Sequence, residues 1–219
     1  MASKIKTSRS GALRLILVRH PETIWQDIKN PENNSHDHRL LGQTDIDLSK
    51  EGLTLAQKLA KHFSKQKIDQ IITSPLKRAY ATAEIIASAN GESSAQFENG
   101  LKEISFGLCE GLTFGEVADK FPEVYKAYLS QSASITFPEG ESFGSFQIRV
   151  RKWLNKFIAK NKNQTVLTVA HGGTIRIILC ALLGWPTKSF WQIGLHYGSI
   201  SIVEVYKKSR VIECLNCKI

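Results

Sequence analysis

Leu13-Arg14-Leu15-Ile16-Leu17-Val18-Arg19-His20 is the stretch whose reading decides the fold. Its apolar part, residues 13–18, has the length of a β-strand and falls far short of the roughly 20 apolar residues a membrane helix needs. It stops at Arg19-His20, two residues with chemistry to offer and nothing to bury. Two further runs repeat the pattern: residues 70–73 stop at Ser74-Pro75, and residues 166–170 stop at His171-Gly172-Gly173. Each of the three is followed by polar punctuation and then by apolar residues at the helical period. Strand then helix, repeated, predicts an α/β fold of three layers, α/β/α, with a mostly parallel central sheet covered on both faces.

The expected helices have recognisable ends. Ser49 precedes the stripe Leu53, Ala56, Leu59, Ala60 and Phe63. Ser74 is placed to cap a helix whose first position is Pro75, where a missing N–H costs nothing; Leu76, Ala79, Tyr80, Ala83 and Ile86 follow at the helical period. Residues 143–161 put Phe146, Val150, Leu154, Phe157 and Ile158 on one face, and a fourth helix is expected over 173–183. Residues 199–206 and 210–215 flank Lys207-Lys208-Ser209 and predict a C-terminal β-hairpin.

Length and composition agree with one folded unit: 219 residues, 42% of them hydrophobic, are enough for a real core. Residues 1–12 read as a flexible basic tail, and residues 13–219 as a single domain without repeats or linkers. The excess of 29 Lys and Arg over 20 Asp and Glu gives a net charge of +9, which raises the question of a polyanionic partner. Four cysteines at 109, 180, 214 and 217 make no disulfide scaffold, and the N-terminus carries no export signal, so a cytoplasmic setting is expected.

The three polar clusters share one structural address. Ligands of parallel α/β sheets bind beyond the carboxyl ends of the strands, so Arg19, His20, Arg78 and His171 should converge on one crevice. Guanidinium groups grip phosphate or carboxylate oxygens in pairs, and Gly172-Gly173 ahead of a helix adds backbone N–H groups that favour anions. A histidine among cations has its pKa pushed down and stays neutral and nucleophilic at pH 7. One imidazole is then able to attack phosphorus while the arginines and the other imidazole hold the equatorial oxygens. Glu103 is the carboxylic acid best placed to protonate the departing alkoxide.

Six ordered motifs carry a family resemblance: Arg19-His20-Pro21-Glu22-Thr23, Leu41-Gly42-Gln43-Thr44-Asp45, Ser74-Pro75-Leu76-Lys77-Arg78-Ala79, the segment around Glu103, Pro138-Glu139-Gly140-Glu141-Ser142, and Ala170-His171-Gly172-Gly173. The chain resembles the histidine phosphatase superfamily, the phosphoglycerate mutase-like clan, over essentially residues 13–215. The resemblance implies that His20 is phosphorylated, that Arg19, Arg78, His171 and the Gly172 N–H complete the phosphate pocket, and that Glu103 is the proton donor. Thr23, Gln26 and Gly42 join the phosphate-binding set by the same resemblance. Two positions depart from it: Pro21 stands where the family usually has Gly, and Gln26 where it usually has Asn. The compact stretch from Glu103 to His171, and Phe106 where mutases have Tyr, favour hydrolysis over mutation. Layout and C-terminal segment resemble the α-ribazole phosphatase branch, which implies α-ribazole 5′-phosphate and cobalamin assembly. Phosphoglycerate mutase, fructose-2,6-bisphosphatase-like or broad sugar-phosphate phosphatase activity, and a non-catalytic phosphate- or protein-binding module, are the alternatives.

Other features have plainer readings. His36 and His38 lie in a polar loop without a second pair of ligands, and Cys214 and Cys217 lack two further ligands for zinc, so no metal or other cofactor is expected. The cations Arg149, Arg151, Lys152, Lys156, Lys160 and Lys162 read as the solvated face of a helix. The expected partner is a small phosphorylated metabolite, with no specific nucleic acid and no membrane span; a homodimer is compatible with this reading.

Overall fold

The computed structural model describes residues 11–26, 39–91 and 94–219. Six strands form one sheet: β1 (Leu13–Arg19), β2 (Gln70–Thr73), β3 (Gln96–Phe97), β4 (Thr165–Ala170), β5 (Ile200–Val205) and β6 (Arg210–Cys217), in the order β3-β2-β4-β1-β5-β6. β1, β2, β3 and β4 run parallel, while β5 and β6 are antiparallel to their neighbours and form the expected terminal hairpin. Helices α1 (Lys50–Phe63), α2 (Lys77–Asn90), α3 (Phe114–Lys120), α4 (Pro122–Leu129), α5 (Phe143–Lys160) and α6 (Gly172–Leu183) complete the layers.

Alternation along β1 shows why there are three layers. Leu13, Leu15 and Leu17 join the core packed on α5 and α6, whereas Ile16 and Val18 join the core that holds Leu59, Phe63, Ala83 and Ile86 of α1 and α2. Successive strand residues point to opposite faces, so a run that is apolar at every position must be covered twice. α5 buries Phe146, Val150, Leu154 and Phe157 as its periodicity predicts, and Trp153 with them. Burial of one such side chain stabilises the fold by about 1.5–3 kcal/mol.

Several details differ from the sequence reading. Ser49 does cap α1, its hydroxyl accepting from the Gly52 N–H at 3.0 Å. Ser74 does not begin α2, which starts at Lys77 after Leu76; Asp45, from another loop, accepts the Lys77 N–H at 2.7 Å. Arg14, a charged residue inside β1, is buried. Its strand register sets it against Glu204 of β5, and it lies buried between Glu204 and Glu213, the latter at 2.7 Å. Ala12, counted with the tail, is also buried, while residues 1–10 and the loop bearing His36 and His38 lie outside the described residues. Cys214 and Cys217 are joined by a disulfide. Among the described residues, no helix is long and apolar enough to cross a membrane and no group of three His, Cys, Asp or Glu side chains is assembled to hold a metal ion.

Candidate active site

The carboxyl ends of β1, β2 and β4 lie side by side and bring their trailing residues together. The His20 N–H donates to the Ala170 carbonyl at 3.0 Å, and the Ser74 N–H to the Val169 carbonyl at 3.1 Å. The His20 and His171 rings meet edge to face, 5.1 Å between centroids, as the sequence reading required.

The bonds of His20 fix its tautomer. Nδ1 lies 2.7 Å from the Pro21 carbonyl, which only accepts, so Nδ1 carries the proton. Nε2 in turn accepts from Arg78 Nε–H at 3.3 Å, which requires a lone pair there. Pro21, where the resemblance expects Gly, thus orients the His20 ring through its carbonyl. Burial, and next the charges of Arg78 and Arg19, hold the His20 pKa well below its usual 6.5. His171 is depressed in the same way, by burial first and then by Arg78, His20, Arg19 and Arg149. Exclusion from water is thus a larger cause of both shifts than the neighbouring cations, which the sequence alone brings to notice.

Arg78 is completely buried, and its guanidinium is held by carbonyls: Nη1 donates to Thr44 at 2.8 Å and Nη2 to Gly42 at 2.6 Å. Burial brings its pKa down to about 10, which leaves it charged at neutral pH. Arg19 stacks on the Tyr197 ring, 3.8 Å from its centroid, and donates through Nη1 to the Leu195 carbonyl at 2.5 Å. Among the buried side-chain atoms without a hydrogen-bond partner in the described residues are two nitrogens of this site, Nδ1 of His171 and Nε of Arg19. Leaving such a group unpaired costs about 1–3 kcal/mol.

Glu103 approaches from the other side. Its carboxylate accepts from the N–H of Gly173 at 2.8 Å and of Thr174 at 3.1 Å, at the start of α6. A Cβ on Gly173 would stand 2.5 Å from Glu103 Oε1, so this approach requires glycine. Glu103 and Arg19, with Gly172 and Gly173, also line a cavity of about 170 Å³ whose walls are largely aromatic.

The remaining expected residues take supporting positions. Gly42 contributes the carbonyl that holds Arg78, in a left-handed conformation at φ +52°. Thr23 and Gln26 are buried and bond to each other, the Thr23 N–H donating to Gln26 Oε1 at 3.1 Å. Gly172 lies beside Arg19: a Cβ there would be 3.4 Å from Arg19 Nε.

Four residues with a part in this geometry escape the sequence reading. Ser74 Oγ is 2.8 Å from His171 Nε2, and Tyr197 supports Arg19. Glu110 accepts from the Gln43 N–H at 2.8 Å and from the Thr44 hydroxyl, fixing the loop whose carbonyls hold Arg78. Arg149 does not face water with the other cations of α5. It makes a two-pronged pair with Glu141, both contacts 2.8 Å, and donates to the carbonyls of Lys102 at 3.0 Å and Glu103 at 3.1 Å. The motif containing Glu141 was the only available signal for that clamp.

Comparison with known proteins adds three findings. The model of the histidine phosphatase superfamily (branch 1) matches residues 15–218. Phosphoserine phosphatase 1 of Hydrogenobacter thermophilus is 36% identical over 204 residues, 93% of this chain and 92% of the relative. Among solved structures, the α-ribazole phosphatase of Shigella flexneri superposes with a TM-score of 0.82 at 25% identity, covering 94% of this chain and 96% of that one. The phosphoserine phosphatase of Entamoeba histolytica in complex with 3-phosphoglyceric acid gives 0.78 at 29%, covering 94% and 98%.

Proposed function

Since the chain belongs to the histidine phosphatase superfamily, we propose that it is a metal-independent phosphomonoesterase that works through a phosphohistidine at His20. The observation that carries this reading is the fixed tautomer of His20, proton on Nδ1 and lone pair on Nε2, next to a buried guanidinium. In the first step Nε2 attacks phosphorus, an N–P bond forms and the ester P–O bond breaks. Protonated Glu103 gives its proton to the departing oxygen. In the second step Glu103, now a carboxylate, takes a proton from water as that water attacks phosphorus. The N–P bond breaks, and inorganic phosphate and neutral His20 are regenerated.

The charge of the transferred group is met by Arg19, Arg78, His171 and the Gly172 N–H. The unpaired buried Nδ1 of His171 and Nε of Arg19 support this assignment, because phosphoryl oxygens would satisfy them. Thr23, Gln26 and Gly42 shape the pocket around those groups.

Two substrate readings remain in view. α-Ribazole 5′-phosphate is favoured by the likeness to the α-ribazole phosphatase structure and by the aromatic cavity wall, which suits a ring-bearing leaving group. A phosphorylated hydroxy acid such as phosphoserine is favoured by the identity with a phosphoserine phosphatase over nearly the whole chain.

The test is acid quench during turnover of a ³²P-labelled phosphomonoester in the presence of a chelator. Acid-labile label on His20 is expected. A His20→Ala variant that turns over at the full rate would overturn the mechanism.

A further inference from the structure

The cavity beside Glu103 contains a cation that the mechanism above does not use. Arg176 lies on α6 one turn beyond Gly172, so its side chain lies on the helix face that Gly172 turns toward Arg19. It lines the cavity together with Phe106, Phe137, Phe143, Phe190 and Trp191. Its hydrogen bond among the described residues runs from Nε to the Ile193 carbonyl, 2.7 Å, which fixes the guanidinium without neutralising it. It makes no ion pair among the described residues, and its centre stands 5.4 Å from the Phe190 ring centroid. Arg19 feels it as a second positive charge. A half-buried cation held among aromatic walls, where the low polarity strengthens charge interactions, is suited to an anionic group that enters the cavity.

The position of that site is informative. Arg19, Glu103 and Gly172, which belong to the phosphate-binding and proton-donating set, line this same cavity with Arg176, so the organic part of a substrate whose ester oxygen meets Glu103 has the cavity, and Arg176 in its wall, to extend into. We propose that Arg176 binds a carboxylate on the organic part of the substrate, and that the substrate class is therefore a small phosphorylated hydroxy acid. The proposal rests on the phosphatase reading and narrows it. A neutral nucleoside such as the leaving group of α-ribazole 5′-phosphate would leave Arg176 without an anion. The site adds no bond-making step; it binds and orients the leaving group.

Paired substrates that differ only in the carboxylate test it: O-phosphoserine against O-phosphoethanolamine, and 3-phosphoglycerate against glycerol 3-phosphate. For the wild-type protein kcat/KM should favour the acid of each pair by roughly 10- to 100-fold, the size of a charge-assisted hydrogen bond. Arg176→Gln should collapse that ratio toward unity, chiefly through KM for the acids, and Arg176→Lys should restore part of it. A wild-type ratio near one, a faster reaction with α-ribazole 5′-phosphate than with either acid, or an Arg176→Gln variant that loses equally on both members of each pair would overturn the proposal. Absence of labelled His20 with every substrate would instead bring down the phosphatase reading, and this proposal with it.

Discussion

The proposed nucleophile and the proposed acid of this site are held in different ways. His20 and His171 follow directly from β1 and β4, and backbone bonds between neighbouring strands set their positions. Glu103 sits in a loop, and side chains from elsewhere keep it there: Arg149 and Glu141 on one side, and Gln43, whose amide donates to the Glu103 carbonyl at 3.0 Å, on the other. One half of the site is thus a property of the sheet, and the other a property of a few polar contacts. The segment Gly42-Gln43-Thr44 joins the halves, since two of its carbonyls hold Arg78 and its Gln43 side chain holds the acid loop.

The largest effect is expected at Glu103 itself. Glu103→Ala should lower kcat on alkyl phosphates by about 10²- to 10⁴-fold, the usual contribution of a positioned general acid. On nitrophenyl phosphate, whose leaving group needs no proton, phosphoenzyme formation in rapid quench should be far less affected. Equal losses on both substrates would mean that Glu103 serves the nucleophile half instead.

Arg149→Met comes next. It removes the bonds to the Lys102 and Glu103 carbonyls and leaves Glu141 with one backbone partner, the Ser105 N–H. If the clamp only positions the acid, the loss should again select alkyl over nitrophenyl substrates, by about 10- to 100-fold, as displacement of a catalytic group by about 1 Å does. Adding Glu141→Gln should cost little more, because the two side chains act as one unit. A loss that ignores the leaving group would show the two halves to be one.

These contacts explain what was legible in the sequence. β1, β2, β4 and the terminal hairpin announce themselves as apolar runs, and the strand-end histidines are legible because their place follows from the strands. β3 has two exposed residues, and α4 buries none of its residues completely, so neither leaves a periodic trace. α3 does carry a capping box, Thr113 with Glu116, but over only seven residues. The Arg149 clamp joins residues 46 positions apart, and Glu110 reaches 66 positions back to Thr44. Such pairings have no local period. Arg149 has the spacing of a surface cation, and its difference from Lys152 or Lys156 is set by what the fold brings against it.

The sheet-held half has its own signature in pH. Both histidines have folded pKa values well below 6.5, so the unfolded chain binds protons that the folded protein does not. Their stabilisation is complete above about pH 6.5 and declines as pH falls from there toward the folded values, by up to about 1.4 kcal/mol per pH unit for each histidine. Denaturant unfolding of wild type between pH 7 and 5 should show this loss, and His171→Gln should reduce its slope. The acid limb of kcat/KM should likewise lie below pH 6.5. An unchanged slope in His171→Gln would mean that this histidine is charged in the folded protein.

The smallest kinetic effect is expected at Ser74, where the two halves can be separated most cleanly. Its hydroxyl lies 2.8 Å from His171 Nε2 and 3.3 Å from the Leu76 N–H, which donates to it, and it touches nothing on the acid side. Ser74→Ala leaves a buried imidazole nitrogen unpaired and should cost about 1–3 kcal/mol of stability. Its kinetic effect should fall alike on alkyl and nitrophenyl substrates, because a reoriented His171 weakens phosphate binding whatever the leaving group. Ser74→Thr keeps the hydroxyl and should recover part of both losses. A leaving-group-dependent loss in Ser74→Ala would place His171 on the acid side of the site, and the division drawn between sheet and loop would have to be redrawn through α6.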